Sequence, residues 1–325
     1  MRILIIGGTG EISLSCAIAT QAAGHDVTIL NRGFSVSDVA LGVEKVVGDL
    51  ASDDPYQAIG RREFDVVCQF LAFKPELCAR DVQFFSGRCR QYVFISSASA
   101  YQKPDALQPI TERTPLENPF WEYSRSKAAC EKFLLQAHAE GQMSVTVVRP
   151  SHTYRTRLPS TLISGDHLAW RIVNGKQIVV HGDGNSPWTL THSDDFAKGL
   201  LGVFGTKAAF GECYHITDNV AHSWNQILQT VGSAMGQRVS LCPVPLKDLI
   251  EFEPEWVGPL LGDKANPMVF DNRKISGLSD GWSCKTSLED GVDRAWNIVS
   301  QRLSGGYEPD PKIDALVDRI VEEHG

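Results

Sequence analysis

A doubly wound, mostly parallel α/β sheet is the architecture this sequence predicts, with a smaller α/β unit interleaved from the C-terminal half. Three observations carry that expectation. Short runs rich in Val, Ile and Phe recur up to Pro150, segments of helical apolar period separate several of them, and the alternation stops after Pro150. Strands alternating with helices build βαβ units, and right-handed crossovers cover both faces of a parallel sheet.

The elements follow in order. Residues 2–6, 26–30, 45–47, 65–70, 91–96 and 144–148 are short apolar runs, as expected of strands buried on both faces. Residues 13–23 and 124–139 have helical spacing. Beyond Pro150, loop formers accumulate at Pro159, Gly165, Gly175, Gly182, Gly184 and Pro187. There, 194–204 predicts an amphipathic helix with Ser193 or Asp194 as its N-cap. The proline-bearing stretch 243–267 predicts irregular structure over a pocket, and 290–303 predicts a further helix. The expected division is a dinucleotide-binding unit at 1–154, taking in 188–206 and 268–277. The substrate unit is then 155–187, 207–267 and 278–325.

Composition narrows the class. The formal net charge is −8 and no Lys or Arg stripe is visible, so a nucleic-acid surface is not indicated. The eight cysteines are scattered without a CxxC pair, which predicts reduced, buried fillers and no metal site. No apolar run has the length of a membrane span, and the chain opens directly on its first strand without a leader-like segment. A cytoplasmic protein is expected.

The stretch Gly7-Gly8-Thr9-Gly10-Glu11-Ile12-Ser13 lies between the first strand and the first helix. Small residues there let the chain turn sharply and let a pyrophosphate approach the helix N-terminus, with Gly7, Gly10, Glu11 and Ile12 as its contacts. The second strand ends in Asn31-Arg32 instead of an acidic residue. A guanidinium can pair with a 2′-phosphate, so NADP(H) is favoured and NAD(H) is the alternative. Asp49 and Leu50 after the third strand, Phe70, Leu71 and Ala72 after the fourth, and Pro150 after the sixth complete the expected cofactor set.

The strongest signal is Tyr123-Ser124-Arg125-Ser126-Lys127. Tyr and Lys four apart share a helix face, so both can reach one substrate oxygen and the nicotinamide ribose. A nearby ammonium and a cationic nicotinamide would draw the phenol's pKa down toward working pH, making Tyr123 an acid/base. Ser97, in Ser96-Ser97-Ala98-Ser99-Ala100-Tyr101 after the fifth strand, would hold the substrate oxygen beside it.

Together with Val148-Arg149-Pro150, these ordered motifs resemble the extended short-chain dehydrogenase/reductase superfamily, particularly its epimerase/dehydratase-like branch. The resemblance implies a Rossmann-type fold, a Ser97–Tyr123–Lys127 catalytic triad, a bound NAD(P) and a homodimer built from two helices per subunit. Fainter echoes are Gly182-Asp183-Gly184 through His192-Ser193-Asp194-Asp195, and a late strand at Val269-Phe270-Asp271.

Departures from the family narrow the chemistry. Ala98 and Ser99 stand where its dehydratases carry an acidic pair, so sugar 4,6-dehydration is not expected. Trp188 stands where nucleotide-sugar enzymes carry an arginine for the diphosphate; its ring suits stacking on a sugar or packing under the loop. Arg155, Arg157 and Arg273 are candidate substitutes, and Ser13 replaces the fingerprint's third glycine. Ser99, His152, Tyr154 and Trp188 are the candidate substrate contacts.

The expected activity is hydride transfer at a secondary alcohol or ketone of a sugar or sugar derivative, by epimerisation or by net oxidoreduction. One alternative is an NADPH-dependent carbonyl reductase of a non-sugar metabolite. Another comes from the superfamily's atypical group that includes chloroplast stem-loop-binding proteins: an RNA-binding protein on a dehydrogenase fold. The intact Ser–Tyr–Lys set and the negative net charge argue against the latter.

Overall fold

The computed structural model describes residues 1–33 and 42–325. All six apolar runs become strands of one parallel sheet: β1 (Arg2–Ile6), β2 (Asp26–Asn31), β3 (Glu44–Val47), β4 (Phe64–Gln69), β5 (Cys89–Ile95) and β6 (Val145–Pro150). After β7 (His152–Tyr154), β8 (Ile178–His181), β9 (Pro187–Trp188) and β10 (Leu190–His192) comes β11 (Cys213–Ile216), the seventh strand of that sheet. The order is β11-β6-β5-β4-β1-β2-β3, so the winding reverses between β1 and β4. Ligands of open α/β sheets bind at the carboxyl ends of strands flanking such a reversal.

Burial on both faces explains why these strands read as apolar runs. Ile3, Ile5, Val27 and Ile29 point into a layer with α1 (Ser13–Ala22). Leu4, Ile6, Tyr92 and Phe94 point into the opposite layer, with α2 (Pro75–Phe85) and α3 (Glu122–Ala139). Then come α4 (Gly165–Val173) and α5 (Ser193–Val203), which packs beside α1 with Ser15 donating to Asp194 at 2.7 Å. This is a Rossmann-type, doubly wound sheet.

The remaining elements form a smaller assembly around β8 and its parallel partner β13 (Leu241–Val244), preceded by β12 (His222–Ser223) and α6 (Trp224–Ala234). Next are α7 (Leu246–Phe252) and α8 (Val257–Pro259), then α9 (Arg273–Leu278), whose Ile275 returns to the main-sheet layer with α5, followed by α10 (Leu288–Ser304) and α11 (Pro311–His324). Leu168, Val180, Ile227, Val231, Val292 and Val299 close a core between α4, α6 and α10. Among the described residues, no helix is long and apolar enough to cross a membrane.

Four local readings change. Strand β11 falls inside 207–267, the stretch expected in the smaller unit, yet it pairs with β6 at the sheet edge. Helix α5 is capped by His192, whose Nδ1 accepts from the Asp194 N–H at 3.3 Å; Ser193 instead donates to the Tyr154 carbonyl. The stretch 243–267 is largely helical, ending in a π turn at Leu260–Lys264. Residues 269–271 form no strand; Met268 and Phe270 make only isolated bridges to Trp188 and Ile110.

Candidate active site

The expected cofactor residues gather along one groove at the carboxyl ends of β1, β2 and β3. Gly7, Thr9, Gly10, Ser13, Leu30, Asn31, Arg32, Gly48, Asp49, Leu50, Leu71 and Phe73 line a cleft of about 440 Å³. Gly8 is obligatory: its φ is +74°, and a Cβ there would lie 2.8 Å from the Ile29 Cβ. Ser13 is not a passive stand-in for glycine, because its hydroxyl accepts the Gly10 N–H at 3.0 Å and tightens the turn. Asn31 accepts the Gly33 N–H at 2.8 Å, which closes the turn carrying Arg32. Among the described residues, no carboxylate pairs with Arg32. A glycine-tightened strand–helix turn beside a long cleft fits a dinucleotide.

Five expected cofactor residues have other surroundings. The Glu11 carboxylate turns toward residues 155–157, accepting the Arg155 N–H at 2.7 Å, the Arg157 N–H at 3.2 Å, the Thr156 N–H, and the Thr156 hydroxyl at 2.6 Å. Ile12 packs against the α1–α5 layer. Phe70 also packs there, with its Cβ beside Gly7. Ala72 is buried, and Pro150 lines the neighbouring cavity.

That cavity, of about 410 Å³, is lined by Ser97, Ala98, Ser99, Trp121, Tyr123, Pro150, Ser151, His152, Trp188, Thr189, Asp263, Lys264 and Met268. Ser97 caps the short turn Ala98–Ala100, and its Oγ lies 2.9 Å from that of Ser99, which accepts from Ser124 at 2.9 Å. Tyr123 sits in the first turn of α3, its ring 4.9 Å from Trp121 and 6.2 Å from Phe73. Phe73 thereby joins the groove to the cavity wall.

The phenol's behaviour differs from expectation. Burial pushes the Tyr123 pKa up, a hydrogen bond with Ser97 pulls it down, and the Asp263 charge pushes it up again. Lys127 supplies no resolved downward pull, because its side chain runs to the strand ends. Its Nζ donates to the Ala72 and Ile95 carbonyls at 2.9 and 2.8 Å, between the rings of Phe73 and Phe94. Burial lowers its pKa to about 8. Lys127 therefore shares the helix with Tyr123 but does not line the cavity.

On the substrate side, His152 and Trp188 form one unit. The Trp188 indole N–H donates to His152 Nδ1 at 3.2 Å, and its ring lies 5.5 Å from Trp224. Burial lowers the His152 pKa to about 3, so the ring is neutral and its proton sits on Nε2. Trp188 thus both packs and lines the cavity. Tyr154 does not border it: the residue is 3% exposed, and its hydroxyl is buried against Gly291 of α10. Arg273 is also elsewhere, paired with Asp271 on the surface, and neither Arg155 nor Arg157 lines the cavity. The cation on its wall is Lys264, which along with Asp263 and Trp121 was not anticipated from the sequence. Among the described residues, no cluster of His, Cys, Asp or Glu is arranged to hold a metal.

Residues 3–216 match the NAD dependent epimerase/dehydratase family. The chain is 26% identical over 326 residues to a 2′-dehydrokanamycin reductase of Streptomyces kanamyceticus, covering 98% of this chain and 90% of the relative. It is 25% identical over 339 residues to the chloroplast stem-loop binding protein of 41 kDa b of Arabidopsis thaliana, covering 97% and 84%. The UDP-glucuronic acid 4-epimerase of Bacillus cereus, solved with UDP-glucuronic acid and NAD, superposes with a TM-score of 0.73 at 17% identity, covering 93% of this chain and all of that one.

Proposed function

The chain belongs to the NAD-dependent epimerase/dehydratase family and is an NAD-dependent enzyme of the extended short-chain dehydrogenase/reductase type; on that premise we propose that it moves a hydride at a secondary alcohol or ketone of a sugar or sugar derivative. The observation that carries this reading is that Ser97 and Tyr123 line one cavity, with the Tyr123 ring 6.2 Å from Phe73, which lines the dinucleotide groove. When bound, the dinucleotide supplies the hydride acceptor or donor. Ser97 donates to the substrate oxygen, and Tyr123 exchanges a proton with it. Lys127 secures the carboxyl ends of β4 and β5, around which both groups are built.

Two observations favour the reductive direction. Burial keeps the Tyr123 phenol protonated at rest, ready to donate as a ketone oxygen gains charge. A relative spanning nearly the whole chain is named as a reductase. Arg32, which has no carboxylate partner among the described residues, supports NADPH as the preferred cofactor. The reductive reading extends to ketones outside the sugars, and the stem-loop-binding relative keeps an RNA-binding reading testable.

Purified protein separates these. With sugar ketones and NADPH, a stoichiometric change in nicotinamide absorbance marks a reductase. Nucleotide that survives gel filtration, with sugar turnover and no net change, marks an epimerase. Reduction confined to non-sugar ketones overturns the sugar reading. Salt-sensitive RNA association without nicotinamide chemistry overturns the enzyme mechanism.

A further inference from the structure

One ionisable side chain on the cavity wall has no part in the proton transfer just described. Asp263 lies on the π turn Leu260–Lys264 and lines the same cavity as Ser97 and Tyr123. The turn is firmly held. Gly258 and Gly262 lie so close to the Trp121 side chain that a Cβ at either would collide with it, at 2.8 Å from the Trp121 Cβ in the case of Gly262. Asn118 donates to the Gly262 carbonyl at 2.6 Å and to the Ser99 carbonyl at 2.7 Å. A single amide therefore fixes the spacing between the Ser97–Ser99 loop and the turn that carries Asp263.

Among the described residues, nothing donates a hydrogen bond to the Asp263 carboxylate, although burial pushes its pKa up to about 6. Asp263 is half-buried, and a carboxylate without protein donors that opens on a cleft marks a place where a ligand brings them. Two ammonium groups act on it from within the protein. Lys103 is buried with its Nζ 3.0 Å from the Met268 sulfur, and Lys264 donates to the Thr161 carbonyl at 2.9 Å. A cationic ligand would have to approach both, whereas neutral hydroxyls satisfy the carboxylate without adding charge. Trp121 offers an apolar face for the C–H surface of a ring, with the packed Trp188 closing the wall.

We propose that Asp263 is the substrate-anchoring residue of this cavity, its two oxygens accepting hydrogen bonds from neighbouring hydroxyls of a neutral polyhydroxylated ring whose reacting carbon faces Ser97 and Tyr123. Lys264, on the same wall, donates to another oxygen of that ring. The assignment rests on the hydride-transfer reading, but its test needs no turnover.

The full chain loaded with NADPH is titrated with methyl β-D-glucopyranoside, methyl β-D-galactopyranoside, methyl 2-amino-2-deoxy-β-D-glucopyranoside and cyclohexanol, binding being read by ligand-observed NMR. At least one neutral glycoside should bind about tenfold or more tighter than cyclohexanol. Asp263→Ala should erase that gap while leaving cyclohexanol and NADPH affinities unchanged, and Asp263→Asn should restore part of it. Four outcomes overturn the proposal: no glycoside binding, an unchanged gap in Asp263→Ala, a uniform loss for every ligand, or tighter binding of the amino sugar than of its neutral counterpart. If glycosides bind through Asp263 but no hydride moves, only the function reading fails. If sugars are turned over with an unchanged gap in Asp263→Ala, only the anchoring role fails.

Discussion

The groove beside Phe73 and the cavity beside Tyr123, whose rings lie 6.2 Å apart, are built by different means. The groove takes its whole lining from residues between Gly7 and Phe73, on turns that directly follow the first strands of the sheet. The cavity is assembled from the ends of β5 and β6, the start of α3, the β9 region and the 260–264 turn. Local turn chemistry makes the first, and long-range closure makes the second. One half of the site can therefore stay constant while the other is rebuilt around a different substrate.

Substitutions can break that division from either side. The largest expected effect is at Tyr123: with the acid/base removed, Tyr123→Phe should lower turnover by about 10²–10⁴-fold. Steady-state kinetics at saturating NADPH measures this. Gly8→Val should act on the groove instead, because its φ is +74° and its Cβ would press on Ile29. A loss of roughly 2–4 kcal/mol of stability is expected, read by chemical unfolding, together with loss of NADPH binding.

Smaller effects sharpen the comparison. Arg32→Ala should weaken NADPH by roughly tenfold and leave NADH nearly unchanged, as two fluorescence titrations would read. Equal losses for both cofactors would remove Arg32 from the 2′ position. The smallest effect is the pH response of the cavity. Asp263 has a pKa raised to about 6, so its carboxylate is ionised above that value and neutralised as pH falls through it. The groups acting on it there are Lys103, whose pKa burial lowers to about 8, Lys264, whose pKa burial also lowers, and a protonated Tyr123; His152 stays neutral. Glycoside affinity should fall as pH drops through that value, by at most about twofold at the pKa, and level off near the affinity of Asp263→Asn, with NADPH affinity flat across the range. A flat glycoside profile would argue that the carboxylate does not anchor the ring.

The same division explains what could be read from the sequence. Strands β1 to β6 were legible because burial on both faces forces near-continuous apolar runs, and the groove because Gly7–Ser13 and Asn31–Arg32 act through their immediate neighbours. Strand β11 was not legible: Cys213-Tyr214-His215-Ile216 interrupts the apolar pattern with a histidine whose ring is bonded to Tyr101 and the Asp271 carbonyl. Tyr154 was misread because adjacency to β6 does not fix side-chain direction, and its phenol goes to α10. Lys127 was identified but its reach was not, since strand-end carbonyls capture its ammonium. Asp263 follows Tyr123 by 140 residues in the chain, and no spacing rule links them. The Trp121–Gly262 contact that seats its turn is a tertiary fact, with two glycines as the only trace.

The central claim is that cofactor binding belongs to the groove and proton transfer to Tyr123 in the cavity. Its most direct test is one titration of NADPH into wild type, Tyr123→Phe and Gly8→Val, followed by hydride transfer to a sugar ketone in the same samples. The account predicts that Tyr123→Phe binds NADPH as wild type does and fails at transfer, whereas Gly8→Val fails at binding. Undiminished transfer by Tyr123→Phe, or a loss of NADPH affinity as large as its loss of turnover, would contradict it.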